Sequence, residues 1–225
     1  MLLALERSTA RGSAALLSED GARIAAVEDS RGFQGDAYAL VDAVLAQANV
    51  PLRDVSRYAV GTGPGSFSGI RSAIAVLTGL ALPVGGRLVG VSSAAAIHAV
   101  FRAEHSGRGA PAACQAPPNP SPVAVVGDAR RGRLWIALYG EGAAPTHGAS
   151  DFSVVPHAAV AESIPSHAMV VTPDLDRLQP LLAAAFPPER VFSVLPTAEA
   201  VGRLAVAGSA GDPLPIYLHP AVAKA

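Results

Sequence analysis

Eleven residues, Gly61-Thr62-Gly63-Pro64-Gly65-Ser66-Phe67-Ser68-Gly69-Ile70-Arg71, hold four glycines, a proline and two serines. They stand between a strand-like apolar run, Tyr58-Ala59-Val60, and a helix-like one from Ile70 to Leu82. Backbone of this composition turns tightly, tolerates positive φ and presents bare N–H groups at a helix start. The chemistry on offer is recognition of an anion, a nucleotide or a closely packed partner. The usual phosphate motifs are missing. A Walker A loop needs a lysine, and the only one in the chain is Lys224. Ser66 stands where a dinucleotide fingerprint needs its third glycine, and Phe67 where a hydrolase elbow needs its nucleophile. A purely structural role, a strand-to-helix turn capped by Ser66 or Ser68, competes with the binding role.

Other reactive residue types are sparse. The six histidines, His98, His105, His147, His157, His167 and His219, include no pair four residues apart and no His-Glu-x-x-His, so the expected metal complement is none. A peptidase reading lacks its zinc ligands for the same reason. Cys114 is the only cysteine, which excludes an internal disulfide and a cysteine metal cluster. Asp128 is the best placed carboxylate for chemistry, with an Asx-turn role between Gly127 and Arg130 as the alternative. Arg130, Arg131 and Arg133 form a short basic turn that suits either an RNA phosphate or a solvated hairpin. No catalytic residue is assigned.

The elements that must carry these residues fall into two similar halves. The first opens with strands at Leu2–Leu5, Ser13–Leu17 and Arg23–Glu28. A helix follows from Asp36, its N-cap, to about Asn49. Strand Arg57–Val60, the glycine loop, helix Ile70–Leu82, strand Arg87–Val91 and helix Ser93–Ala103 complete the half. Residues His105 to Pro122 contain five prolines and no periodicity and read as a linker. The second half repeats the opening, with strands at Pro122–Val126, Arg133–Tyr139 and Phe152–Val155. A helix near Asp174–Phe186, a strand at Val191–Val194 and a helix from Thr197 follow. Three antiparallel strands, then alternating helices and strands, occurring twice, predict an α/β fold of two duplicated ribonuclease-H-like (actin-like) lobes, 1–104 and 123–225 about the linker 105–122.

Composition agrees with a compact α/β chain: 225 residues, 50% hydrophobic and 16% charged. The formal net charge is −1, so no basic stripe is available for tight unaided nucleic-acid binding. The longest uncharged apolar run, Ser72 to Gly86, is expected to be too short to span a bilayer, and with no basic leader at Met1 the default expectation is cytoplasmic, without membrane partners.

The glycine stretch resembles the Gly-x-Gly-Pro-Gly-Ser-Phe-Thr-Gly-hydrophobic-Arg signature of the bacterial TsaB (YeaZ) family. Leu3-Ala4-Leu5-Glu6-Arg7-Ser8-Thr9 is similar to that family's opening, Asp128-Ala129-Arg130-Arg131-Gly132 to its second-half turn, and Pro215-Ile216-Tyr217-Leu218 to its close. The resemblance spans nearly the whole chain. It implies a non-catalytic actin-like subunit of the machinery that makes threonylcarbamoyladenosine next to the tRNA anticodon. The implied partners are the catalytic TsaD subunit and the TsaE ATPase, with a homodimer as a further option and tRNA reached only through the complex. The family pattern is not followed everywhere. Glu6-Arg7 replaces Asp-Thr after the first strand, Ser68 replaces Thr, and Gln34-Gly35-Asp36 precedes the first helix. Arg7 brings bulk to a turn that nucleotide-binding relatives keep slim, so Ser8, Thr9 and Asp128 are weak nucleotide candidates and no cofactor is expected.

Both helices show an unusual second face. Leu40, Val41, Val44 and Leu45 line one side of the first, and Ala39, Ala43 and Ala46 the other. In the second, Ile70, Ala73, Ile74 and Leu77 are backed by Ser72, Ala75 and Gly79. Exposed helix faces ordinarily carry Lys and Glu. Lysine-free small residues there read either as alanine-rich composition or as a surface offered to another helix pair. The resemblance implies the second, with Leu40, Val44, Ala39, Ala43, Ile70, Ile74, Leu77, Ala75 and Gly79 binding the partner. Gly61, Gly63, Pro64, Gly65, Ser66, Phe67, Gly69 and Arg71 then form a structural loop. An autonomous actin-like phosphotransferase, with ATP held near Ser8, Thr9 and Asp128, is the rival activity.

Overall fold

The structure is a computed structural model that describes residues 1–29, 36–105, 122–140 and 148–218. The expected linker falls outside these residues apart from its ends, as do Cys114, Gln34, Gly35, His147 and His219.

Two five-stranded mixed sheets form, one per compact unit. In the first, β1 (Leu2–Glu6), β2 (Gly12–Leu17) and β3 (Arg23–Asp29) run antiparallel, while β4 (Arg57–Gly61) and β5 (Arg87–Val91) add in parallel, in the order β3-β2-β1-β4-β5. In the second, β6 (Val123–Arg130), β7 (Arg133–Tyr139) and β8 (Ser153–Pro156) are antiparallel, and β9 (Met169–Thr172) and β10 (Val191–Ser193) add in parallel. Its order, β10-β9-β6-β7-β8, repeats the first from the other edge. This is the duplicated ribonuclease-H-like, actin-like order expected from the sequence.

The central strands are apolar on both faces, which a sheet tolerates only when both are covered. On one face of the first sheet, α1 (Ala37–Ala48) and α2 (Phe67–Ala81) bury Leu40, Val41, Val44, Ala73 and Leu77 against Leu3, Leu5, Leu16 and Val60. The opposite face is covered by α6 (Ala198–Val206), which approaches so closely that a Cβ on Gly202 would overlap Leu17. Ala198 N–H donates to Ser13 Oγ at 2.9 Å. The helix at 198–206, expected with the second half, therefore belongs to the first compact unit, which comprises 1–96 with 195–216. The second comprises 97–194 with 217–225, and α3 (Ser93–His105) passes from one into the other. Its core packs α4 (Val160–Ser163) and α5 (Leu175–Ala185) on the second sheet through Val160, Leu178, Leu182 and Phe186. Neither β9 nor α4, each four residues long, is among the elements expected from the sequence.

Helix α2 starts at Phe67, three residues ahead of the expected Ile70, because Ser66 rather than Ser68 is its N-cap; the Ser66 Oγ accepts from Gly69 N–H at 3.2 Å. With the short 3₁₀ turn that follows it, the helical span Phe67–Val84 is long and apolar enough, by length and composition, to cross a membrane. The expected run Ser72 to Gly86 understated it. Ile70, Ala73, Leu77 and Ala81 of this helix are nonetheless buried, the last three in the core packed on its own sheet.

Candidate functional site

The turn after β1 is where a nucleotide-using actin-like lobe would meet phosphate, and here the chain fills it with itself. Glu6 is fully buried. Its carboxylate accepts from Ser8 N–H at 2.5 Å and from Ser93 Oγ, at the start of α3, at 2.8 Å. Ser93 Oγ in turn accepts from Gly63 N–H at 3.0 Å. Burial pushes the Glu6 carboxyl above its ordinary value, and the hydrogen bonds from Ser8 and Ser93 offset part of that rise. Arg7 is buried too, with its guanidinium donating to Ser72 Oγ on α2 at 3.3 Å.

The glycine loop lies directly on this turn. Ser66 N–H donates to the Ser8 carbonyl at 2.7 Å. A Cβ on Gly69 would overlap the Arg7 carbonyl, and one on Gly65 the Ser8 carbonyl. The glycines therefore allow backbone to touch backbone. A cis peptide joins Gly63 to Pro64. Across the loop's start, Thr62 N–H donates to Val91 and the Thr62 carbonyl accepts from Ile216, so the closing segment of the chain ties down the same junction.

Of the weak nucleotide candidates, Ser8 is buried with no hydrogen-bond partner for its Oγ among the described residues, Thr9 Oγ1 donates to the Arg11 carbonyl at 3.0 Å, and Asp128 lies in the other compact unit. Asp128 is an Asx-turn residue: its Oδ1 accepts from Arg130 N–H at 2.7 Å, and its Oδ2 pairs with Arg130 and Arg177. Among the described residues, no group of three or more His, Cys, Asp or Glu side chains is placed to hold a metal ion. His98 stacks on Tyr139 with ring centroids 4.4 Å apart and lies 3.3 Å from the Arg102 Nε. Burial, then Arg102, lowers its pKa to about 4.

The helix faces separate the expected partner contacts into two sets. Leu40, Val44, Ile70 and Leu77 are buried in the lobe's own core, which corrects their assignment as partner contacts. They lie on the stripe that the sheet requires. Ala39, Ala43, Ala75 and Gly79 are exposed, and Ile74 is half-buried. Missed from sequence were the large apolar residues beside them: Tyr38 at 55% exposure, Phe67 at 58%, Leu82 at 79% and Val84 at 45%. Had the helix been started at Phe67, that residue would have fallen in line with Arg71 and Ala75, at i, i+4 and i+8. The Arg71 guanidinium sits 4.0 Å from the Phe67 ring centroid. Asp42 on α1 and Arg71 on α2 are the only charged residues in the two helices. Asp42 lines an open groove of about 420 Å³ formed by α1 and the segment after it, with Tyr38, Val41, Leu45, Asn49, Leu52 and Leu80 among its other walls.

Comparison with known proteins agrees with this architecture. Residues 28–151 match the family model TsaD: tRNA N6-adenosine threonylcarbamoyltransferase. A Pseudomonas aeruginosa protein described as having similarity to the peptidase YEAZ superposes with a TM-score of 0.71 at 25% identity, over 97% of this chain and 99% of that one. YeaZ from Pseudomonas aeruginosa gives 0.70 at 26% identity, over 96% and 99%. A search of curated proteins found no match.

Proposed function

We infer the function from one premise: the chain belongs to the TsaD family, tRNA N6-adenosine threonylcarbamoyltransferase, and has the YeaZ-like actin-like fold. Its role lies in tRNA modification. Within that role it acts as a non-catalytic scaffold and activator in the cytoplasm, docked on a catalytic TsaD subunit that carries the transfer chemistry, with the TsaE ATPase joining the assembly. A second copy of this chain competes for the same docking face.

One observation supports this above the others. The outward sides of α1, α2 and the 3₁₀ turn after α2 combine Tyr38, Phe67, Leu82 and Val84 with small residues, beside a groove along α1, where a solvent-facing helix pair would carry Lys and Glu. Large apolar side chains left exposed on adjoining elements are what an association site requires. The rival reading, an autonomous phosphotransferase, meets a first-lobe turn already filled by Glu6, Arg7 and the glycine loop.

The test is reconstitution. Purified chain mixed with the TsaD subunit should co-elute with it and raise threonylcarbamoyladenosine formation on tRNA. Neither co-elution nor stimulation would overturn the proposal.

A further inference from the structure

We propose that the tip of the β6–β7 hairpin is an RNA-contacting finger, on which Arg130 and Arg131, with Arg177 beside them, hold phosphates of the tRNA substrate. The inference rests on the tRNA-modification role and is separate from the docking face on α1 and α2.

The hairpin tip is built against local preference. Arg130 and Arg133 pair directly, and the strand register slips between Asp128 and Arg130. Three consecutive residues are left-handed: Arg130 at φ 66, Arg131 at φ 54 and Gly132 at φ 70. Two-residue hairpins of this hand favour Asn-Gly or Asp-Gly, because a long side chain is disfavoured at positive φ. Here Arg131 holds the first loop position, where Asn or Asp is favoured, and Arg130, just before the loop, is left-handed as well. Gly132 meets nothing within 4 Å of its missing Cβ, so the tip is open space with no packing that would demand a large side chain.

The guanidinium groups are held ready. Asp128 is only 15% exposed and turns both carboxylate oxygens to the tip. One accepts from the Arg130 backbone N–H at 2.7 Å. The other lies 3.1 Å from Arg130 Nη1 and 3.5 Å from Arg177 Nη1, leaving those side chains 66% and 46% exposed. A guanidinium has five donors, so each keeps most of them free for a further acceptor. Arg131 is exposed and has no hydrogen bond or ion pair among the described residues. Arg133 donates to the Val154 carbonyl at 2.9 Å. Asp128 and Asp174 offset part of this charge, but each spends an oxygen on a backbone N–H group.

Phosphate fits this tip better than a protein surface does. Protein interfaces centre on buried aromatic or aliphatic anchors, and Arg130, Arg131 and Gly132 supply none. Phosphate contacts need only positioned cationic forks, and they set register on the nucleic acid without reading its sequence. With a net charge of −1 the whole chain cannot be a strong RNA binder by itself. The finger adds a local contact to affinity supplied elsewhere in the complex.

The experiment is fluorescence anisotropy of an end-labelled tRNA transcript titrated at low salt with the complex of TsaD and full-length chain, comparing wild type with Arg131→Asn and Arg131→Lys. Asparagine accepts the left-handed backbone, so Arg131→Asn should melt at the same temperature or higher while binding tRNA about 3-fold or more weakly, with a log–log salt slope smaller by about 1. Arg131→Lys should keep most of the affinity. Undiminished binding by the complex carrying Arg131→Asn, or an unchanged salt slope, would overturn the proposal. Equal binding of a labelled polyglutamate peptide would also overturn it, in favour of an acidic protein partner. Co-elution of Arg131→Asn with TsaD is read in parallel and should match wild type. Loss of docking there bears on the proposed function, whereas loss of RNA binding bears on the finger.

Discussion

The Ser93 hydroxyl donates a 2.8 Å hydrogen bond to the Glu6 carboxylate across 87 residues of chain, joining the end of β1 to the start of α3. Because Ser93 also accepts from Gly63 N–H, the pair fixes the glycine loop as well. A buried acid with a raised pKa holds its proton more tightly folded than unfolded. Its contribution to stability is therefore full below the ordinary value of 4.5 and declines as pH rises through the folded value. Glu6→Gln should remove that decline and melt at or above wild type at pH 7. Ser93→Ala, which orphans two buried groups, should cost about 1–3 kcal/mol. Thermal melts across pH 4 to 8 decide it; a Glu6→Gln protein as unstable at pH 7 as Glu6→Ala would contradict the account.

Two glycines of α2 should respond in opposite directions to the same change. Gly69→Ala drives a Cβ into the Arg7 carbonyl and should destabilise by about 2–3 kcal/mol. Gly79 has nothing within 4 Å of its missing Cβ and sits in a helix interior, so Gly79→Ala should stabilise by up to about 1 kcal/mol. Urea unfolding of the two variants reads both signs, and a Gly69→Ala protein as stable as wild type would remove the backbone-contact explanation of the loop.

His98 should make the second unit acid-sensitive. Its folded pKa of about 4 lies below the ordinary 6.5, so the folded state binds fewer protons between those values. Stability is then full above pH 6.5 and falls as pH drops towards 4. His98→Phe keeps an aromatic ring against Tyr139 and should flatten that part of the profile. Unchanged pH dependence in near-ultraviolet circular dichroism melts would show that another group titrates.

Much of the fold was legible because its determinants are local. Asp36 caps α1, as expected, and Asn49 closes it in a left-handed turn. Apolar runs such as Leu2–Leu5 and Tyr58–Val60 announced strands covered on both faces. The ends of α2 were less legible, since Ser66 and Ser68 are equally good caps and only the placement of Gly69 over Arg7 selects the first. The home of α6 was illegible: which sheet it covers depends on Gly202 fitting Leu17 and on Ser13 meeting Ala198, contacts between residues far apart in the chain. At the site, periodicity identified two faces on each helix; the sheet takes the larger apolar one, so Leu40, Val44, Ile70 and Leu77 point inward and the small-residue face is left outward.

The outward face is best tested with Ala75→Arg. Ala75 is exposed at the middle of α2, in line with Phe67 and Arg71, so an arginine there should leave the melting temperature of the free chain unchanged. Size-exclusion co-elution with TsaD should be lost or weakened about tenfold or more, as expected for a bulky charge placed at the centre of an apolar interface. Ala75→Arg co-eluting as well as wild type would contradict the claim that this face receives the partner.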